Sequence, residues 1–159
     1  MFRALALCAA VAVPAAAIAA MPTTPAQYVM KAGASDQYEI QSSQLVMNSA
    51  NPKIKEFANH MISDHTKSTA DVKAAAAKAG VKAGPPMLNP MQQTMVANLK
   101  KVSGTARDTL YMAQQKASHN QALALQEDYS KNGTAAPLKM AAGKIVPVVK
   151  NHIQMLASM

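Results

Sequence analysis

Four histidines and one glutamate carry most of the chemistry open to this chain. His65 falls in an apolar stripe: at helical spacing it follows Ile54, Phe57, Ala58 and Met61 and precedes Thr69, Val72 and Ala76. An imidazole in that position needs a hydrogen-bond or metal partner, because a buried polar group left alone is costly. His152 is placed in the same way, among Ile145, Val148, Val149, Met155 and Leu156. His119 shares its face with Met112, Ala122 and Leu123, but also with Gln115 and Gln126. His60 has Glu56, Asp64 and Lys67 around it, which predicts a solvated edge. Glu39 lies midway along a small, semi-polar face formed by Tyr28, Ala32, Ser35, Ser42 and Val46.

Imidazole and carboxylate are the usual ligands of zinc, iron, copper or manganese where thiols are missing, and helical bundles build such sites in their interiors. The sequence therefore predicts Glu39, His65, His119 and His152 as ligands of a divalent transition metal, with Asp64, Asp108 and Tyr111 as candidates to orient them. A carboxylate-bridged di-iron centre wants Glu-x-x-His on two helices. The residues three before His65, His119 and His152 are Ile62, Lys116 and Val149, which argues against a ferroxidase. No nucleophile constellation and no glycine-rich phosphate loop are present, so the balance leans away from an enzyme. The competing reading is a metal-free buried polar network in a non-catalytic envelope or stress protein that acts by contact with other macromolecules. Met87, Met91 and Met95 recur every four residues and could offer thioethers to Cu(I), although gap-filling in the core is the more ordinary use of methionine.

The elements that must position these residues are helices. Pro25 opens a first helix that is expected to reach about Asn48. Asn51-Pro52, a cap followed by a first-turn proline, starts a second that runs to about Ala79 before Gly80. Asn89-Pro90 repeats the signature for a short third helix ending near Val102. Thr105 is expected to cap a fourth that continues to about Lys131, and Pro137 starts a fifth, interrupted by Pro147, that reaches Leu156. Strand-like alternation is lacking. At about 1.5 Å of rise per residue, Glu39 and His65 fall level in the first helical hairpin, and His119 and His152 fall within about one turn of each other in the second. The fold class is thus all-α: a four-helix bundle of two antiparallel hairpins with a short crossover helix.

Residues 1–20, MFRALALCAAVAVPAAAIAA, read as a signal peptide with Ala17-Ile18-Ala19 as the cleavage pattern, which predicts a periplasmic or secreted protein with one domain over residues 21–159. The single cysteine, Cys8, lies in that leader, so no disulfide or thiolate site is expected beyond it. The net charge of +8 comes mostly from scattered lysines, and only 4% of the residues are aromatic. That pattern predicts no nucleic-acid binding, which favours clustered basic residues with exposed aromatics. It leaves room for weak contact with an anionic envelope surface.

The runs FANHMISDHTKS (Phe57 to Ser68), SGTARDTLYMAQQKASH (Ser103 to His119) and LKMAAGKIVPVVKNHIQML (Leu138 to Leu156) resemble the bacterial exported domain-of-unknown-function family 4142. The resemblance covers nearly all of residues 21–159 and implies a ferritin-like four-helix bundle, with no established activity. Its specific features are the Asp64-His65 pair, the spacing from Tyr111 to His119, and the ending from Pro147 to His152. Arg107 stands where the family pattern has an aromatic, so the segment after Ser103-Gly104 is expected to pack differently.

Overall fold

The computed structural model describes residues 23–159, so the leader and Cys8 lie outside the described residues. Five helices follow in order: α1 Pro25–Gln44, α2 Pro52–Lys78, α3 Pro90–Lys101, α4 Gly104–Asn132 and α5 Ala136–Ala157. No strand occurs among the described residues. Helices α1 and α2 form one hairpin, α4 and α5 the other. The hairpins pack through α2 against α5 and α1 against α4, while α3 lies along α1 and α4. The result is the four-helix bundle with a crossover helix. Within it, no helix is long and apolar enough to cross a membrane.

Local chemistry sets the helix starts. Thr24 and Asn89 each close a capping box, with Gln27 and Gln92 respectively, and Asn51 accepts from the Lys53 amide at 3.0 Å. The fourth helix begins two residues earlier than its sequence suggests, at Gly104 behind Ser103, with Thr105 already inside it. Gly104 has φ +56°, a left-handed conformation that turns the chain sharply between α3 and α4 and that glycine adopts without steric penalty. The first helix ends at Gln44, short of Asn48, and the chain leaves it through turns. Helix α5 runs through Pro147, whose ring faces solvent. Its missing N–H frees the carbonyl of Gly143, which is itself exposed and open to water.

Arg107 shows why an aromatic is not required at its position. Its guanidinium donates to the carbonyls of Leu99 and Val102, at 3.0 and 2.8 Å, and to that of Leu45 at 3.0 Å. One side chain therefore satisfies the frayed ends of both α3 and α1, a task for which a planar cation with several donors is well suited.

Two apolar clusters fill the bundle at different heights. One gathers Tyr28, Ala32, Val72, Ala76, Ala122, Tyr129, Leu138, Ala142 and Val149; the other gathers Val46, Ile54, Phe57, Met61, Leu99, Tyr111 and Leu156. Tyr28 and Tyr129 stack with ring centres 3.9 Å apart in the first, and Phe57 meets Tyr111 edge-on in the second. Between Ala32 on α1 and Val46 just beyond its end, Met61 and Val72 on α2, Tyr111 and Ala122 on α4, and Val149 and Leu156 on α5, the core changes character. Asp36, Glu39, Ser42, Ser43, His65, Ser68, Gln115, His119 and His152 are all buried there. The bundle thus carries a polar layer at mid-height, closed above and below by apolar packing.

Candidate metal centre

Each of three helices brings one imidazole into that layer. His65 comes from α2, His119 from α4 and His152 from α5, and all three residues are buried. Their ring centres form a triangle with sides of 5.3, 5.4 and 5.8 Å. One ring nitrogen from each lies within 4.8 Å of the other two. Phe57 lies beneath, 6.2 Å from the His119 ring and 6.4 Å from that of His152, and shields the group from the lower end of the bundle.

The outer nitrogen of every ring is tied to an acceptor. His65 Nδ1 stands 2.8 Å from Asp36 Oδ1, and the other carboxylate oxygen accepts from Thr69 Oγ1 at 3.1 Å. His119 Nδ1 stands 3.0 Å from the carbonyl oxygen of Gln115, one turn earlier on the same helix. His152 Nε2 stands 3.0 Å from Asp64 Oδ2. A carbonyl or a carboxylate oxygen can only accept, so each of these nitrogens carries the hydrogen. In the neutral rings the remaining nitrogens, His65 Nε2, His119 Nε2 and His152 Nδ1, are then bare lone pairs.

Electrostatics favour that neutral state for two of the three. Burial lowers His119 to about 4, helped by the charge of His65. Burial likewise lowers His152 to about 4, against the pull of its Asp64 hydrogen bond. Burial pushes His65 down too, but the Asp36 hydrogen bond and the charges of Asp36, Glu39 and Asp64 outweigh it, so this ring titrates above its usual value. The contact between His119 Nε2 and His152 Nδ1, at 3.3 Å, therefore brings two lone pairs face to face. Between neutral rings held in these tautomers it cannot be a hydrogen bond. His65 Nε2, fully buried, has no partner either.

Of the residues singled out from sequence, His65, His119 and His152 are brought together and Asp64 directly orients one of them. Glu39 is fully buried beside them, with Oε1 3.8 Å from His119 Nδ1, on the side of the ring held by the Gln115 carbonyl and outside the three-nitrogen group. Neither of its oxygens has a hydrogen-bond partner, and burial holds its carboxyl above the usual range. Asp108 and Tyr111 serve elsewhere: Asp108 accepts from Ser49 Oγ at 2.6 Å, and Tyr111 pairs with Ser43 Oγ at 2.7 Å. Among the described residues no hydrogen bond links either to a histidine. His60 is exposed.

Asp36 is the residue that the reading of the sequence missed. It lies four residues after Ala32 and three before Glu39, so the face of α1 that enters the core runs through Asp36 rather than Ser35. Gln115 and Gln126, which made the face of His119 look ambiguous, are themselves buried. Gln115 donates to Ser42 Oγ at 3.1 Å, and Gln126 accepts from Tyr28 Oη at 2.7 Å.

Fold and site together describe an all-α bundle of the ferritin-like kind with a buried histidine layer. The chain belongs to the domain of unknown function family DUF4142, whose model matches residues 10–159. No curated protein matches it. Its fold is similar to that of a DUF305 fragment from Deinococcus radiodurans solved by crystallography, at a TM-score of 0.71 and 15% identity over 86% of this chain and 96% of that one.

Proposed function

We propose that this protein is an exported metal-binding bundle that holds one transition-metal ion on His65 Nε2, His119 Nε2 and His152 Nδ1. One observation carries the reading: each imidazole has a hydrogen fixed outward by Asp36, the Gln115 carbonyl or Asp64, which leaves a lone pair turned inward on His119 and His152, and on His65 once an ion displaces its inner proton. That outward tether is how metal-bound histidines are usually oriented and made more basic.

The distances suit the chemistry. Two imidazole nitrogens on one tetrahedral ion, each at about 2.0–2.1 Å, stand roughly 3.3 Å apart, and the ring centres roughly 5 Å. The His119–His152 nitrogen pair and the ring triangle lie close to both values. Two neutral rings supply ligands with few protons to displace, and Asp36 and Asp64 supply compensating negative charge. Three neutral nitrogens suit zinc or copper better than magnesium or calcium. When bound, such an ion supplies positive charge and an acceptor for lone pairs; the chain's own residues orient the rings, exclude water and hold the protons outward. The proposal of export rests on the pattern of residues 1–20.

Elemental analysis of the protein purified from its native compartment tests the reading, with one zinc or copper per chain as the expected result. A chelator should then lower the melting temperature, since an ion at a hundred times its Kd stabilises by about 2.7 kcal/mol. A melting temperature indifferent to chelator and to added metal would overturn it in favour of the metal-free polar layer.

A further inference from the structure

Away from the histidine layer, the crossover from α2 to α4 roofs a cleft of about 910 Å³ between itself and helices α1, α2 and α4. Ligand pockets span roughly 300–1,000 Å³, so this one is at the large end. Its walls are apolar, with Val29 from α1, Val72 from α2 and Leu125 from α4 among them. The roof rests directly on α1 at Gly33, where an added Cβ would stand 3.4 Å from Pro86 Cβ. Met30 and Met87 line the same cleft while 65% and 72% exposed. Unbranched thioethers of this kind adapt their shape to a varied apolar partner.

Two further features define what fits. Four of the six uncharged polar side chains along the cleft are already engaged within the protein, Ser35 and Gln121 being the others: Thr69 donates to Asp36, Ser118 to the Gln115 carbonyl, and Asn89 and Gln92 cap each other. The cleft therefore offers few hydrogen bonds to a polar ligand or a peptide backbone and suits an alkyl chain. Its charged residues are Lys31, Lys73 and Lys82, with no aspartate or glutamate among the lining residues. Lysine stems lie along apolar surface while their ammonium groups stay in water, which puts positive charge at the rim.

We propose that this cleft binds a single-chain anionic amphiphile of the fatty-carboxylate class, its alkyl chain along Val29, Val72 and Leu125 and its head among Lys31, Lys73 and Lys82. The assignment is independent of any ion at the histidines.

The test is titration of the purified chain with a fluorescent polyene C18 fatty acid below its micellar concentration, with palmitate and hexadecanol as competitors. The expected result is saturable binding of one molecule per chain, displaced by palmitate at least tenfold more effectively than by hexadecanol. K31E/K73E/K82E should weaken it at least tenfold, A26W should block it, and K53E/K55E/K144E, which carries the same charge change elsewhere, should leave it intact. All the positions altered are exposed, so the helices survive and circular dichroism confirms it. Absence of saturable binding overturns the proposal, as does equal affinity in the two triple variants. A chain that sediments as a dimer and dissociates on A26W, with no amphiphile bound, overturns it in favour of a second copy of the chain.

Discussion

Replacing His65 by leucine separates the work of the Asp36–His65 pair from that of the ion. The two side chains meet at 2.8 Å with about 5% of each exposed. Without the imidazole, Asp36 keeps a single hydroxyl partner, Thr69. Breaking a buried pair by removing one member costs about 3–5 kcal/mol, because the remaining charge stays buried uncompensated. For a domain of this size that corresponds to a fall in melting temperature of about 10–20 °C. Replacing both partners with apolar residues of similar volume is often close to neutral, so Asp36→Val/His65→Leu should recover most of the loss. The assay is urea unfolding of four metal-free proteins, the parent chain, both single variants and the double, compared as a thermodynamic cycle. The expected coupling between the two sites is at least 2 kcal/mol. Additive losses, with the double variant as unstable as the two singles summed, would refute the claim that the pair holds the layer together.

Four further outcomes follow from the same structure. Metal-free protein should lose stability as pH falls from about 6.5 toward 4. His119 and His152 bind protons more weakly folded than unfolded, and each full shift is worth roughly 3 kcal/mol in unfolding measured across that range. His65 works with the opposite sign, since its raised value adds stability that is fully present below the unfolded pKa and disappears as pH climbs through the folded one; its charge also helps hold His119 and His152 down, so His65→Leu should make the acid loss shallower. Arg107→Leu strands the carbonyls of Leu45, Leu99 and Val102 and should cost about 2–4 kcal/mol in a melt without altering metal content. His60→Ala, at an exposed position, should stay within about 0.5 kcal/mol of the parent in a melt and leave the metal content unchanged.

How far the sequence reaches can be judged residue by residue. Asn51-Pro52 and Asn89-Pro90 mark helix starts because cap and proline act locally, through one hydrogen bond and one fixed φ. The fold class follows from five such elements and from short hairpin loops. The burial of His65 and His152 is equally legible, because their neighbours at helical spacing are apolar. Local rules fail at Gly104, where a positive φ moves the start of α4 ahead of the residue that looks like its cap. They fail again at Asp36, since only the packing of α1 on α2 decides which of two adjacent residues, Ser35 or Asp36, turns inward. The tautomers of the three rings depend on Asp36, the Gln115 carbonyl and Asp64, and two of those acceptors lie on a different helix from their histidine. No periodicity within a single helix contains that information.

His65, His119 and His152 are proposed to share one ion through their inward nitrogens. Crystals of the protein grown with zinc or copper, measured on either side of that metal's absorption edge, test it most directly. One strong anomalous peak per chain is expected at about 2.0–2.1 Å from His65 Nε2, His119 Nε2 and His152 Nδ1. No peak is expected there in crystals of His119→Ala. Ordered metal found only at the surface, at His60 or Met87, with the three imidazoles still facing one another across an empty centre, would contradict it.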